Sequence, residues 1–283
     1  MEIAKDVFGL VWDEDDSVYG GYGANQGFVI LEESVLVFDT GFTNVQVSRL
    51  LASVRKVTDK KIRYIVNSHD HSDHVFGNFY LVRHLKDAII VSQEICKSRL
   101  LDLGSKRLAD YRSRDSRLRG LLGEVKITLP NLTYSELNLK INIEGTQMFL
   151  VHPETGAHTL GDTMILLPRK NVIFAGDILW NGFLPNLEDA NLEGWINTLS
   201  NIDTTGYRKL LPGHGKVCSR KEVDVFLDYL KKVLENLRNI DNPLKDEVSK
   251  LRNCFAIEGT EIWKMRGIID WNIEKVLGRS IVG

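Results

Sequence analysis

Long apolar runs are missing from this 283-residue chain. The strongest, such as Val7 to Trp12, fall far short of the roughly 20 residues a membrane-spanning helix requires, so no membrane role is expected. Cysteine is scarce: Cys96, Cys218 and Cys254 are odd in number and widely spaced. That excludes a disulfide framework and leaves them as packing residues in a reducing, cytoplasmic setting. Met1 to Asp6 has neither the basic start nor the apolar stretch of a signal peptide. There is no excess of either charge. The 36 Lys and Arg stand against 38 Asp and Glu, a formal net charge of −2, which argues against a general nucleic-acid-binding role. Only six prolines occur, and no Pro/Gly-rich linker, low-complexity tract or fixed-period repeat divides the chain. With 43% apolar and 26% charged residues, the composition is that of a globular protein able to bury a substantial core.

The apolar pattern points to an architecture. Gly27–Leu31 and Val35–Phe38 read as strands joined through Glu32-Glu33-Ser34, the second ending at Asp39-Thr40-Gly41. Asn44 to Val57 carries Val45, Val47, Leu50, Leu51 and Val54 at helical spacing, and Ile62–Val66 returns to strand. This alternation predicts an α/β fold. From about residue 92 to 123 a polar helical excursion interrupts it. Between Lys97 and Arg119 there are eight Lys or Arg and three Asp. Such a run reads first as a solvated helix face; the other reading is a cap that attracts an anionic substrate. Short strands are expected at Val125–Thr128, Leu137–Ile141, Met148–Val151, Met164–Leu167 and Val172–Phe174, then a helix at Leu192–Ser200 and a strand at Lys209–Leu211. Beyond Ser219 the pattern is helical. Val223, Phe226, Leu227, Leu230, Val233, Leu234 and Leu237 form one stripe, Pro243 breaks it, and Ile257–Leu277 reads as a last helix. The expected organisation is a single domain over residues 1–283 with a helical extension at about 219–283.

Seven histidines are present, and three fall within six residues, His69-Asp70-His71-Ser72-Asp73-His74. The window follows the strand Ile62–Val66, and loops at strand ends are where α/β proteins gather catalytic groups. Imidazoles two residues apart can turn toward one divalent cation. Asp73 and His74, adjacent in an irregular turn, can address a second point nearby. Zinc takes three or four N, O or S donors, so this loop supplies half of each of two sites. Further donors stand in Gly-bearing turns at strand ends: His158 in Gly156-Ala157-His158-Thr159, Asp177 in Ala175-Gly176-Asp177, and His214 in Pro212-Gly213-His214-Gly215. His84 lies in a helical segment and reads as structural or solvated. His152, Trp180, Asn181 and Phe183 are candidates to line a pocket. Tyr19-Gly20-Gly21-Tyr22-Gly23 reads either as a mobile aromatic loop over the site or as a plain hairpin turn.

Taken together, Ser68-His69-Asp70-His71-Ser72-Asp73-His74, Ala157-His158-Thr159, Gly176-Asp177 and Pro212-Gly213-His214-Gly215 resemble the metallo-β-lactamase superfamily. Val37-Phe38-Asp39-Thr40-Gly41 resembles its first motif, and the motifs come in the family's order over residues from about 5 to 240. The resemblance implies a four-layer αβ/βα sandwich whose two similar halves close over a dinuclear metal centre at one edge. It implies two zinc ions per chain, with iron or manganese as alternatives. One ion would sit on His69, His71 and His158, the other on Asp73, His74 and His214, with Asp177 bridging and Asp39 supporting a ligand from behind. Two features separate the chain from the lactamases of that superfamily. Asp177 stands at the nearest local match to the Cys ligand some of them carry, and His74 stands where they commonly have Arg. The HxHxDH form is similar instead to thioesterases of the glyoxalase II kind, lactonases and phosphodiesterases, and His71 argues against flavodiiron oxygen reductases.

Charge arithmetic suits hydrolysis. Asp73, Asp177 and a bridging hydroxide offset three of the four positive charges of two divalent cations, leaving about one. Such a centre acidifies bound water and polarises a carbonyl or phosphoryl oxygen. The expected protein is a metal-dependent hydrolase whose bridging hydroxide attacks a small-molecule ester, thioester, lactone or phosphoester, with Asp73 and Asp177 as the candidate catalytic residues. The alternatives are a mononuclear iron dioxygenase acting on a persulfide, β-lactamase activity as a minor reaction, and a non-catalytic binding protein. No nucleic-acid or membrane partner is expected; the oligomeric state, a homodimer included, stays open.

Overall fold

The computed structural model describes residues 1–12, 23–114, 116–202, 204, 206–240, 248–265 and 267–277. Residues 19–22 of the Tyr-Gly segment, and Pro243, lie outside the described residues. A first sheet has seven strands, neighbours in space in chain order: β1 (Glu2–Ala4), β2 (Val7–Leu10), β3 (Gln26–Ile30), β4 (Ser34–Phe38), β5 (Lys61–Val66), β6 (Ile89–Gln93) and β7 (Leu132–Tyr134). Pairing is antiparallel from β1 to β4 and parallel from β4 to β7. Parallel neighbours need crossovers. These are α1 (Asn44–Val57), then α2 (Ser72–Val75) with α3 (Asn78–His84), then α4 (Glu94–Arg114) with α5 (Ser116–Leu122).

The second sheet contains β8 (Asn138–Ile143), β9 (Thr146–Val151), β10 (Met164–Leu167), β11 (Val172–Asn181) and β12 (Lys209–Gly215), in the order β12-β11-β10-β9-β8. Only β11 and β12 pair in parallel, through the crossover α6 (Leu192–Asn201). Three helices follow, α7 (Arg220–Arg238), α8 (Val248–Phe255) and α9 (Ile268–Leu277). Ser219 starts α7, and the Glu222 carboxylate reaches back to accept its amide at 2.8 Å, which satisfies a donor the helix leaves unpaired.

Side-chain alternation explains the layering. In β4 every residue is buried, so an unbroken apolar run serves two faces at once. Leu36 and Phe38 point into the space between the sheets, with Val29, Val66, Ile165, Phe174 and Leu211. There the Phe38 and Phe174 rings stack with centroids 5.5 Å apart. Val35 and Val37 point the other way, onto Val47, Leu50 and Val54 of α1 and Leu81 of α3. Beyond the second sheet, Ile173, Ala175 and Leu210 pack on Trp195 of α6 and Phe226, Leu230 and Val233 of α7. Each such buried Phe or Leu contributes about 2 kcal/mol, and the order helix, sheet, sheet, helix is the four-layer sandwich expected.

Three local expectations fail, each for a physical reason. Val125–Thr128 forms no strand: Val125 and Ile127 pack beneath α4 and α5 with Leu100, Leu108 and Leu122, so their alternation serves helices rather than a sheet. Ile257–Leu277 is helical only from Ile268. Before that, Lys264 donates to the Gly182 carbonyl at 2.9 Å and accepts from the Leu184 amide at 3.1 Å, which commits its backbone to a neighbouring chain segment. Asp177 and His214 lie inside β11 and β12 rather than in turns after them. Among the described residues no helix is long and apolar enough to cross a membrane.

Candidate metal centre

The donors gather where the carboxyl ends of β5, β11 and β12 meet the loop between β9 and β10. His69 and His71 follow β5. Asp73 and His74 occupy one turn of helix, α2, instead of the irregular turn expected. Asp177 turns inward within β11 at a bulge: the β11–β12 register shifts on both sides of Gly176, whose φ of +53° suits a residue without a Cβ. His158 comes from the loop after β9, and His214 from the end of β12.

The structure brings all seven predicted donors together. Ligand atoms of His69, His71, His158 and Asp177 lie within 4.8 Å of one another, and so do those of Asp73, His74 and His214. Asp177 faces both groups. Its Oδ1 is 3.1 Å from His74 Nε2, and its Oδ2 is 3.3 Å from His158 Nε2 and 3.6 Å from His214 Nε2. Asp73 Oδ2 stands 3.3 Å from His214 Nε2.

Hydrogen bonds behind the cluster decide which ring nitrogen faces inward. Asp39, in a left-handed conformation at φ +59°, accepts from the Ser68 amide and hydroxyl at 2.7 Å each and from His74 Nδ1 at 2.8 Å. That frees His74 Nε2, as the supporting role expected of Asp39 requires. Ser68 Oγ, its proton given to Asp39, accepts from His69 Nδ1 at 2.9 Å and frees His69 Nε2. His71 is turned the other way round: its Nε2 donates to Asp189 Oδ2 at 2.9 Å, and its Nδ1 faces His158 Nε2 at 2.9 Å.

The sequence pattern does not mark Asp189. It lies in an irregular loop after β11, and two arginines of α4 hold it. Arg99 reaches Asp189 Oδ2 at 2.7 Å and Asp70 Oδ1 at 2.9 Å. Arg107 reaches Asp189 Oδ2 at 3.1 Å and Asp70 Oδ2 at 2.6 Å. Asp70 is fully buried, and a buried carboxylate needs a cation, which the two arginines supply. The solvated-face reading of the basic run therefore fails at Arg99 and Arg107. Of the other candidates, Trp180 lines the cleft and stacks on His214 at 4.2 Å. Asn181 instead donates to the Lys216 carbonyl, and Phe183 belongs to the core beneath. His152 is buried, with Nδ1 bonded to the Asp162 carbonyl at 2.9 Å, and His84 is exposed. All three cysteines are buried.

The chemistry of this donor set fits a divalent cation. His69 Nε2 is buried, points inward and makes no hydrogen bond among the described residues, while the buried His74 Nε2 and Asp177 Oδ1 face each other at 3.1 Å. Buried polar atoms are otherwise paired. The electrostatics agree. Burial drives His69 well below its usual range and His158 down to about 3, so both rings are neutral donors. Burial also opposes charge on His214, but Asp177 and Asp73 outweigh it and hold the ring up at about 9. Asp177, despite burial, is kept ionised by His74, His214 and His158.

Fold and site together define a metal-binding hydrolase. Residues 19–214 match the metallo-beta-lactamase superfamily, and the chain belongs to it. It is similar to the beta-lactamase-like protein 2 homolog of Caenorhabditis elegans, at 24% identity over 245 residues, covering 86% of this chain and 73% of that protein. It is also similar to a probable metallo-hydrolase of Methanocaldococcus jannaschii, at 23% identity over 210 residues, covering 71% and 91%. Among solved structures, a metallo-beta-lactamase from Pontibacter korlensis superimposes with a TM-score of 0.63 at 17% identity, over 82% of this chain and 97% of that one. That likeness establishes the fold.

Proposed function

We propose that this chain hydrolyses a small-molecule ester, thioester, lactone or phosphoester in the cytoplasm and holds two zinc ions to do so. The observation that carries this reading is the Asp177 carboxylate, which turns one oxygen to His74 and the other to His158. A carboxylate facing two donor groups is suited to join two cations. His69, His71 and His158 would hold one, Asp73, His74 and His214 the other. When bound, the ions supply a water acidified to near-neutral pH and polarise the substrate's carbonyl or phosphoryl oxygen.

The chain's own residues do the rest. Asp39 and Asp189 fix the tautomers of His74 and His71, so the donors need no rearrangement as charge develops. Asp73 is the most open of the seven donors, its side chain 17% exposed against 3% for Asp177. It lines the cleft and is the carboxylate able to carry a proton from the attacking water toward the leaving group. No Ser or Cys nucleophile is required.

Metal analysis of protein purified without added metal tests the reading, together with turnover of an aryl ester and a phosphodiester. About two zincs per chain, and hydrolysis that disappears in Asp177→Ala, are expected. One iron with oxygen consumption, or unchanged turnover in Asp177→Ala, overturns it.

A further inference from the structure

Two separate segments wall the cleft above the donors. One is α4, whose Leu103, Arg107, Tyr111 and Arg114 recur every three or four positions and so share a face. Alongside that face Leu100 and Leu108 are buried with Phe42 and Phe76, and Tyr111 packs edge-on against both of those rings, which anchors it at the cleft wall. The other wall is Met265, Ile268 and Trp271, which lie beyond residue 214, where the superfamily match ends. Arg114 spans the two walls: its guanidinium carbon is 4.9 Å from the Tyr111 ring centroid and 5.5 Å from that of Trp271. A cation over both ring faces ties the segments together.

The wall has no net sign. Apart from Asp73 and Asp177, the charged residues lining the cleft are Lys106, Arg107 and Arg114 against Asp110, Glu188 and Asp189. Arg107 pairs with Asp189 and Arg114 with Asp110. Among the described residues, then, α4 does cap the cleft but offers no excess charge to draw in an anion. What it offers is apolar surface. Leu103, Tyr111, Trp180, Met265, Ile268 and Trp271 surround a space of about 810 Å³. That is near the top of the range for ligand sites and far more than a short acyl group fills.

We propose that the cleft takes an ester or thioester with a bulky, uncharged hydrocarbon acyl group, lodged between Tyr111 of α4 and Ile268 and Trp271 of α9. The proposal rests on the hydrolase reading for its scissile bond and on the wall alone for its specificity. Each methylene moved fully from water to this surface raises kcat/KM by up to about fourfold, and one only partly covered by less.

Zinc-loaded protein is assayed on p-nitrophenyl esters from acetyl to octanoyl. kcat/KM is expected to rise at least about 30-fold along the series, mainly through KM. Trp271→Ala and Ile268→Ala each reduce the octanoyl-to-acetyl ratio at least about fivefold, and Trp271→Phe keeps it. Trp271 is 37% exposed, so its truncation spares the core. A flat series, or one that Trp271→Ala lowers without changing the ratio, overturns the proposal and leaves the hydrolase reading intact. Binding of a neutral amide, octananilide against acetanilide, is read by calorimetry on the same protein. A margin of at least about tenfold, lost in Trp271→Ala, upholds the apolar cleft even where no ester is cleaved, an outcome that removes carboxylic-ester cleavage from the hydrolase reading instead. No margin overturns the cleft assignment.

Discussion

Asp189 Oδ2 lies 2.9 Å from His71 Nε2, and the same oxygen receives Arg99 at 2.7 Å and Arg107 at 3.1 Å. One carboxylate thus pins the ring proton of His71 on the outward nitrogen and leaves Nδ1 bare toward the cluster. Burial opposes charge on Asp189, but its bond to His71 and the Arg99 guanidinium hold it well below the usual carboxylate range. Through Asp70, the same arginines clamp the backbone between His69 and His71. Orienting partners of this kind are worth about 10- to 100-fold in metal affinity.

Asp189→Asn should therefore weaken metal binding at His69, His71 and His158 by about 10- to 100-fold. Competition against a chromophoric chelator measures it, resolved for the two sites. Affinity at Asp73, His74 and His214 should stay within about threefold, because Asp39 rather than Asp189 orients His74. Equal losses at both sites would show that Asp189 acts on the fold as a whole and not on His71.

What the sequence made legible and what it hid follow one rule. His69, His71, Asp73 and His74 were readable because four donors fall in six residues after a strand, and the strand–helix–strand order of β4, α1 and β5 pointed to the layers around them. His158, Asp177 and His214 were readable as donors because each stands near a glycine. Their backbone was not. The bulge that turns Asp177 inward depends on how β11 registers against β12, a pairing between segments some 35 residues apart that no local pattern encodes. Asp189 is 118 residues from His71 and meets it only through the tertiary fold. Arg99 and Arg107 looked like members of a solvated basic run because charge patterning cannot reveal which cations a buried carboxylate will recruit.

Loading the two donor groups should differ in pH dependence. Without metal, burial opposes a charged imidazole throughout the cluster. At His214 the carboxylates of Asp177 and Asp73 overcome it and hold the ring up at about 9, and at His74 those of Asp177, Asp39 and Asp73 hold it well above its usual range. Both rings carry protons at pH 7, and an incoming cation must displace them. His69 and His158 are already neutral there, and only His71 is raised in that group. Between pH 6 and 8, affinity at Asp73, His74 and His214 should climb about tenfold per pH unit for each proton displaced. The other group should gain from one proton at most. Calorimetric zinc titration of chelator-treated protein, in buffers of differing ionisation enthalpy, counts the protons. Equal release by the two equivalents would contradict the assignment.

Gly213 makes room for Asp177. A Cβ built on it would overlie Asp177 Oδ1 and come within 2.8 Å of the Gly176 carbonyl carbon. Neither neighbour can yield, because Asp177 is buried between the two histidine groups and Gly176 forms the bulge. Gly213→Ala should push the Asp177 carboxylate from its position between His74 and His158, cutting metal content by about half or more and kcat by at least about 100-fold. The loss is local, so far-ultraviolet circular dichroism should match the parent. Gly206→Ala is the control, since nothing lies within 4 Å of a Cβ there; it should keep full metal and full turnover. Retention of both metals in Gly213→Ala would mean that Asp177 can hold the centre from another position, and the close approach of β12 to β11 would then serve packing alone.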